Sequence, residues 1–234
     1  MDATRARIAA TEVLAMPGAA TGTIGWLGGG WVVAGWTATE FVDGLEPLVD
    51  DVAAVIDIGV ELAHDLRPHA PTAAASLRTR VDRWSIADRV AWGELEAGSC
   101  GLHWTVEALV DRLSTHVPGR DGSVQPDAVA HGDTLVHGDL ATNVFRDADG
   151  QAVVLDVSAY LRPVGYGSAI VVIDHLLWLD GDPALVGLVG ESALAGALIF
   201  RLVADQLGES THDTTDPTSP DLGVFEAALA AAGL

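Results

Sequence analysis

The sequence contains no lysine. All 12 of its basic side chains are arginines, set against 33 acidic ones for a formal net charge of −21. So one-sided a balance excludes nucleic acid and anionic membrane surfaces as partners, because both repel a polyanion. Two origins of the acidity remain open: attraction of a cationic small molecule, or a general property of the proteome the chain comes from. Cysteine is scarce as well. Cys100 stands alone, which excludes an internal disulfide and a cysteine metal cluster and makes a reducing cytoplasm the expected setting. Arg5 and Arg7 are followed by no apolar signal core. The longest apolar stretch, 184–200, is broken by glycines, Glu191 and Ser192 and runs into Arg201. A membrane span needs about 20 mostly apolar residues, so this stretch reads as a buried helix.

What the chain has in quantity is apolar surface. Of its 234 residues, 49% are hydrophobic and the mean hydropathy is +0.31, enough for one good core or two modest lobes. Apolar residues recur at helical spacing over 47–66 (Leu48, Val52, Val55, Ile56, Val60, Leu62) and over 101–117 (Leu102, Val106, Leu109, Val110, Leu113). Further helices are expected over roughly 75–97, 167–180, 184–207 and 223–232. The polar, twice-proline stretch 208–221 reads as a loop. Trp84, Trp92, Trp104 and Trp178 are expected in packing.

The segment with chemical content is 135–159, LVHGDLATNVFRDADGQAVVLDVSA. Leu135 and Val136 lead a short strand into His137-Gly138-Asp139, and the chain leaves that loop at Asn143. It turns at Asp147-Ala148-Asp149-Gly150, a strong turn signal, and returns through β-branched residues to Asp156. A hairpin so formed brings Asn143 and Asp156 together beside the loop that carries Asp139. Phosphoryl transfer uses hard oxygen ligands for Mg²⁺ and a carboxylate that accepts the proton of the incoming hydroxyl. Asn143 and Asp156 suit the metal and Asp139 suits the base.

On His137-Gly138-Asp139, Asn143 and Leu155-Asp156 the chain resembles the aminoglycoside phosphotransferase and choline kinase-like branch of the protein-kinase-like superfamily. The blocks 35–44, 81–94 and 156–178 look like an actinobacterial subgroup of it, and together the resemblance covers most of the chain from about Gly30 onward. It implies an α+β, protein-kinase-like fold: a mostly helical C-lobe over 41–234 carrying a catalytic β-hairpin at 134–158, behind a truncated N-lobe. It also implies Asp139 as catalytic base, Asn143 and Asp156 as magnesium ligands and His137 as a brace of the loop. ATP and Mg²⁺ would be the cofactors and a small-molecule hydroxyl the acceptor. One departure is a spacing of four residues from Asp139 to Asn143, where the family usually has five.

The expected N-lobe, 1–40, is a remnant: a helix over 3–16, a break at Pro17-Gly18 and two short strands within 23–42. Such lobes ordinarily supply a glycine-rich turn over the phosphates and a lysine paired to a helix glutamate. Here the lysine is missing, Glu12 is at most its orphaned partner, and GWLGGGW at 25–31 reads as a tight turn, since it fits no phosphate-loop pattern. A hinge at 36–39 places Trp36, Thr37 and Ala38 beside an adenine. The chain is then a phosphotransferase with a shortened lobe, or an inactive pseudokinase or truncated relative that serves as a binding module, with Met1 a misassigned start. Apolar surface uncovered by the lost strands predicts self-association.

A different chemistry is a metal-dependent hydrolase. His131-Gly132-Asp133 echoes His137-Gly138-Asp139, and His131, Asp133, His137 and Asp139 are suitable metal ligands. Two other residues stand out. Arg162 offers a contact to phosphate or substrate, or a partner for a nearby carboxylate. Asp174 lies inside apolar AIVVIDHLLW, where a buried carboxylate needs hydrogen-bond partners, so it is expected to brace the catalytic loop or a helix start.

Overall fold

The computed structural model of the chain describes residues 7–8, 43–117, 133–209 and 222–234. Its architecture is α+β. Helices α1 (Val52–Leu66), α2 (Ala70–Leu77), α3 (Arg83–Ala91), α4 (Trp104–Ser114), α5 (Val164–Trp178), α6 (Glu191–Glu209) and α7 (Gly223–Ala232) dominate. The strands are short: β1 (Arg7–Ile8), β2 (Glu46–Pro47), β3 (Thr134–His137), β4 (Val144–Arg146), β5 (Ala152–Val154) and β6 (Ala159–Arg162). Two compact units emerge, 1–78 with 128–171 and 79–127 with 172–234, and all three boundaries between them fall inside the stretch 41–234 expected as one lobe. Nothing of the N-lobe expected over 1–40 lies among the described residues apart from Arg7 and Ile8. Those two form a strand parallel to β5, with Arg7 opposite Val153 and Ile8 opposite Val154, where a helix over 3–16 was expected.

In the first unit, one sheet has the order β1-β5-β4-β2 and a second ladder joins β3 to β6. The hairpin β4–β5 forms where the turn chemistry asks for it. Val144, Phe145 and Arg146 face Val154, Val153 and Ala152. Asp147 closes the turn by accepting the N–H groups of Asp149 and Gln151 on Oδ1, at 3.0 and 2.8 Å, and Gly150 supplies the left-handed φ of 76° that the turn requires. Helix α1 begins at Asp51, whose Oδ1 accepts the Ala54 N–H, and packs on β3, where the Thr134 hydroxyl donates to the Ala63 carbonyl at 2.9 Å. Val55, Leu62, Leu135, Val136, Val153 and Val154 are buried in this unit's core.

In the second unit, α6 is the central element, with α3, α4 and α7 packed against it. Residues Leu194 to Ala204 are buried without interruption, so only the later part of the apolar stretch 184–200 is a buried helix; Pro183–Leu188 forms a separate, partly exposed 3-10 turn ahead of α6. No helix among the described residues is long and apolar enough to cross a membrane. Helix α3 is shorter than the 75–97 expected. Asp82 caps its start by accepting the Ser85 N–H at 3.0 Å, and Gly93, with φ 69°, follows its end at Trp92. The tryptophans divide. Trp84 packs against Phe200 and under the Arg83 guanidinium, whereas Trp104 and Trp178 are 71% and 50% exposed, against the expectation of packing. Trp104 opens α4 just after the His103 cap, a position that faces outward.

Candidate active site

The site grows from the end of β3. His137 is the last residue of that strand and is buried, opposite Ala159. Its Nδ1 accepts the backbone N–H of Asp139 at 2.9 Å, which leaves the ring proton on Nε2, 3.4 Å from the Leu155 carbonyl that accepts it. One imidazole thus ties the turn holding Asp139 to the far end of the hairpin, next to Asp156.

Asn143 makes the second tie. Its Nδ2 donates to the Asp139 carbonyl at 2.6 Å and lies 3.4 Å from Asp139 Oδ2, while its backbone N–H donates to Leu140. Its own carbonyl accepts from the Leu155 N–H at 2.9 Å. Asn143 lies four positions after Asp139, and this shorter spacing closes as a hydrogen-bonded turn over 140–143. With Nδ2 committed inward, Oδ1 is the atom of the Asn143 amide left for a ligand. Asp156 follows Leu155 with φ 45°, exposed to solvent. Asp139, Asn143 and Asp156 are therefore bound into one local framework, Asp139 half-buried, Asp156 outward.

Leu140 anchors the loop from below. It is buried, and a Cβ at Gly59 of α1 would stand 2.7 Å from its Cδ2, so the helix glycine makes room for the loop's apolar side chain.

These donors suit magnesium. The set is oxygen only, and magnesium is held by one or two carboxylates together with substrate phosphates and waters. Among the described residues no group of three or more His, Cys, Asp or Glu side chains is arranged to hold a metal. His137 is withdrawn from the hydrolase ligand set because both its ring nitrogens are engaged within the loop. His131 lies outside the described residues, and Asp133 precedes the whole of β3, about 13 Å from His137 along an extended strand.

The remaining sequence candidates separate. Trp36, Thr37 and Ala38 lie outside the described residues, as do Glu12 and GWLGGGW. Arg162 is buried opposite Thr134, at the end of the β3–β6 ladder about 10 Å along the strand from His137. In the second unit the buried Asp174 carboxylate receives Arg201 of α6 in a two-pronged pair, Nε to Oδ1 at 2.6 Å and Nη2 to Oδ2 at 2.5 Å. The Arg201 guanidinium also faces the rings of Trp84 and Trp178, each at 5.5 Å. Sequence reasoning found Asp174 but not this partner, since a contact across 27 residues leaves no local signal.

Strand β6 and the residues it carries to the site were also unforeseen. The only hint was the apolar pair Tyr160-Leu161 just after Asp156.

No protein-family model, no curated protein and no solved structure matches the chain.

Proposed function

We propose that the chain is a phosphotransferase of the protein-kinase-like type, dependent on ATP and Mg²⁺, that phosphorylates a small-molecule hydroxyl. The observation that carries this reading is the double tie of the loop, His137 to Asp139 and Leu155, and Asn143 to Asp139 and Leu155. It fixes Asp139 and Asn143 to Leu155, the residue before Asp156, so that a carboxylate, an amide oxygen and a second carboxylate flank one hairpin. The order of elements supports it further: strand β3, the Asp139 loop, the β4–β5 hairpin, Asp156, then β6 returning to β3.

In this reading Asp139 accepts the proton of the acceptor hydroxyl as the oxygen attacks phosphorus. Holding the carboxylate by its backbone fixes it where the hydroxyl must approach. Asn143 Oδ1 and the Asp156 carboxylate would hold the magnesium, which when bound supplies the positive charge that phosphoryl transfer needs on its phosphate oxygens. A small-molecule acceptor with positive charge is favoured by the field of a chain with net charge −21.

A second reading, a pseudokinase that binds without transferring, is supported by one observation, the absence of lysine from the whole sequence. Thermal unfolding with and without millimolar Mg-ATP separates the two from a protein that ignores nucleotide. Stabilisation of about 1 kcal/mol or more that needs magnesium and disappears in Asp156→Asn is the expected result. Phosphoryl transfer to an acceptor then marks the enzyme. An unchanged transition in the wild type would overturn both.

A further inference from the structure

The glycine at position 138 is not required by backbone angle. Its φ lies outside the left-handed region, yet a Cβ built there would stand 2.2 Å from Cε2 and 2.6 Å from Cδ2 of Tyr160. What excludes a side chain is the tyrosine ring itself. Register explains the contact. Tyr160 lies directly opposite Val136 in the antiparallel ladder, so position 138 is its diagonal neighbour on the same face, and the ring covers the bare backbone there. The ladder also runs one residue past β3, because the Gly138 N–H donates to the Ser158 carbonyl at 2.7 Å. The next N–H, that of Asp139, turns away to His137 Nδ1.

We infer that Tyr160 is a positioning residue for Asp139: its ring presses on Gly138 and fixes the point at which the chain leaves the sheet, and with it the place of the carboxylate. The part played by Asp139 in catalysis rests on the function proposed above, whereas the mechanical claim does not. The contact with Gly138 belongs to ring carbons, so the ring is the part of Tyr160 on which the inference rests. The Cβ excluded by the ring also fits the space left when the ring is removed, so the two positions are coupled in size.

The test uses the full chain in four forms: Tyr160→Phe, Tyr160→Ala, Gly138→Ala, and the double variant Tyr160→Ala/Gly138→Ala. Amide hydrogen exchange and the ring-nitrogen NMR signals of His137 are read in each, beside the Mg-ATP thermal shift. Tyr160→Phe is expected to keep a single His137 tautomer with its proton on Nε2, the wild-type exchange rates and the full Mg-ATP shift. Tyr160→Ala should exchange the Gly138 and Asp139 amides at least tenfold faster, with the α6 amides unchanged, and halve the shift or more. Gly138→Ala alone should also loosen the loop, while the double variant should be less impaired than the sum of its parts.

Wild-type exchange at Gly138 and Asp139 in Tyr160→Ala would overturn the inference. So would uniform loss of protection across β3 and β6 in a variant that still folds, or strict additivity in the double variant. Should the wild type show no Mg-ATP shift, the functional reading fails alone, and the exchange and NMR results still decide the role of Tyr160.

Discussion

Asp156 has a φ of 45°, a left-handed backbone conformation that costs a side chain with a Cβ on the order of 1 kcal/mol. Asp156 is exposed, and its strain stands at the position proposed to supply an oxygen ligand. Replacing it separates backbone from chemistry. Asp156→Gly should be at least as stable as the wild type, and Asp156→Ala less stable than Asp156→Gly by about 1 kcal/mol. Neither should keep any response to Mg-ATP in thermal unfolding. Equal stability of the glycine and alanine variants would sink the strain account. At this scale the contacts are local: the hydrogen bonds that hold His137, Asp139 and Asn143 join residues within 20 positions of one another. Gly138 is not explained in that way. Its reason for being glycine is a ring 22 positions later, reached only through strand pairing.

Helix ends give two further expectations. Asp82 caps α3, and Arg80 donates to the same carboxylate, Nε to Oδ2 at 3.0 Å. Burial alone would raise this carboxyl's pKa, but the hydrogen bonds from Arg80 and the Ser85 N–H outweigh it and hold the carboxyl below its ordinary value. A carboxyl lowered on folding adds stability above its unfolded pKa and loses it as pH falls through the folded one. Asp82→Ala should therefore cost about 1 kcal/mol at neutral pH, with the gap to wild type closing below pH ~4 in denaturant titrations. A gap that stays constant into acid would contradict the ionised cap. At the other end of a helix, Asp180 follows α5 with φ 51° while the Gly181 N–H closes on the His175 carbonyl at 2.9 Å. Asp180→Gly should stabilise by roughly 0.5–1 kcal/mol, since only the strained residue changes; a lower melting temperature would show that Asp180 makes a compensating contact.

For the molecule as a whole, charge is the dominant collective term. A net charge of −21 on 234 residues makes the folded state repel itself, and salt screens that repulsion. Raising ionic strength from ~0.01 M to ~1 M shortens the screening length from ~30 Å to ~3 Å, so the melting temperature should climb with sodium chloride. A fall would mean that ion pairs matter more than repulsion. The Asp174–Arg201 pair is shielded from this effect, because both side chains are buried and salt reaches them poorly.

By itself the sequence determined what depends on short separations: the hairpin with its Asp147 turn and most of the helices. Spacing and turn chemistry act between neighbours, so they are written in consecutive residues. Only the tertiary structure decided what depends on distant partners. The β3–β6 ladder set Tyr160 over Gly138 and Arg162 opposite Thr134; packing of α6 gave Asp174 its arginine. Those contacts are selected by burial and by strand register, which many sequences satisfy and no local pattern specifies.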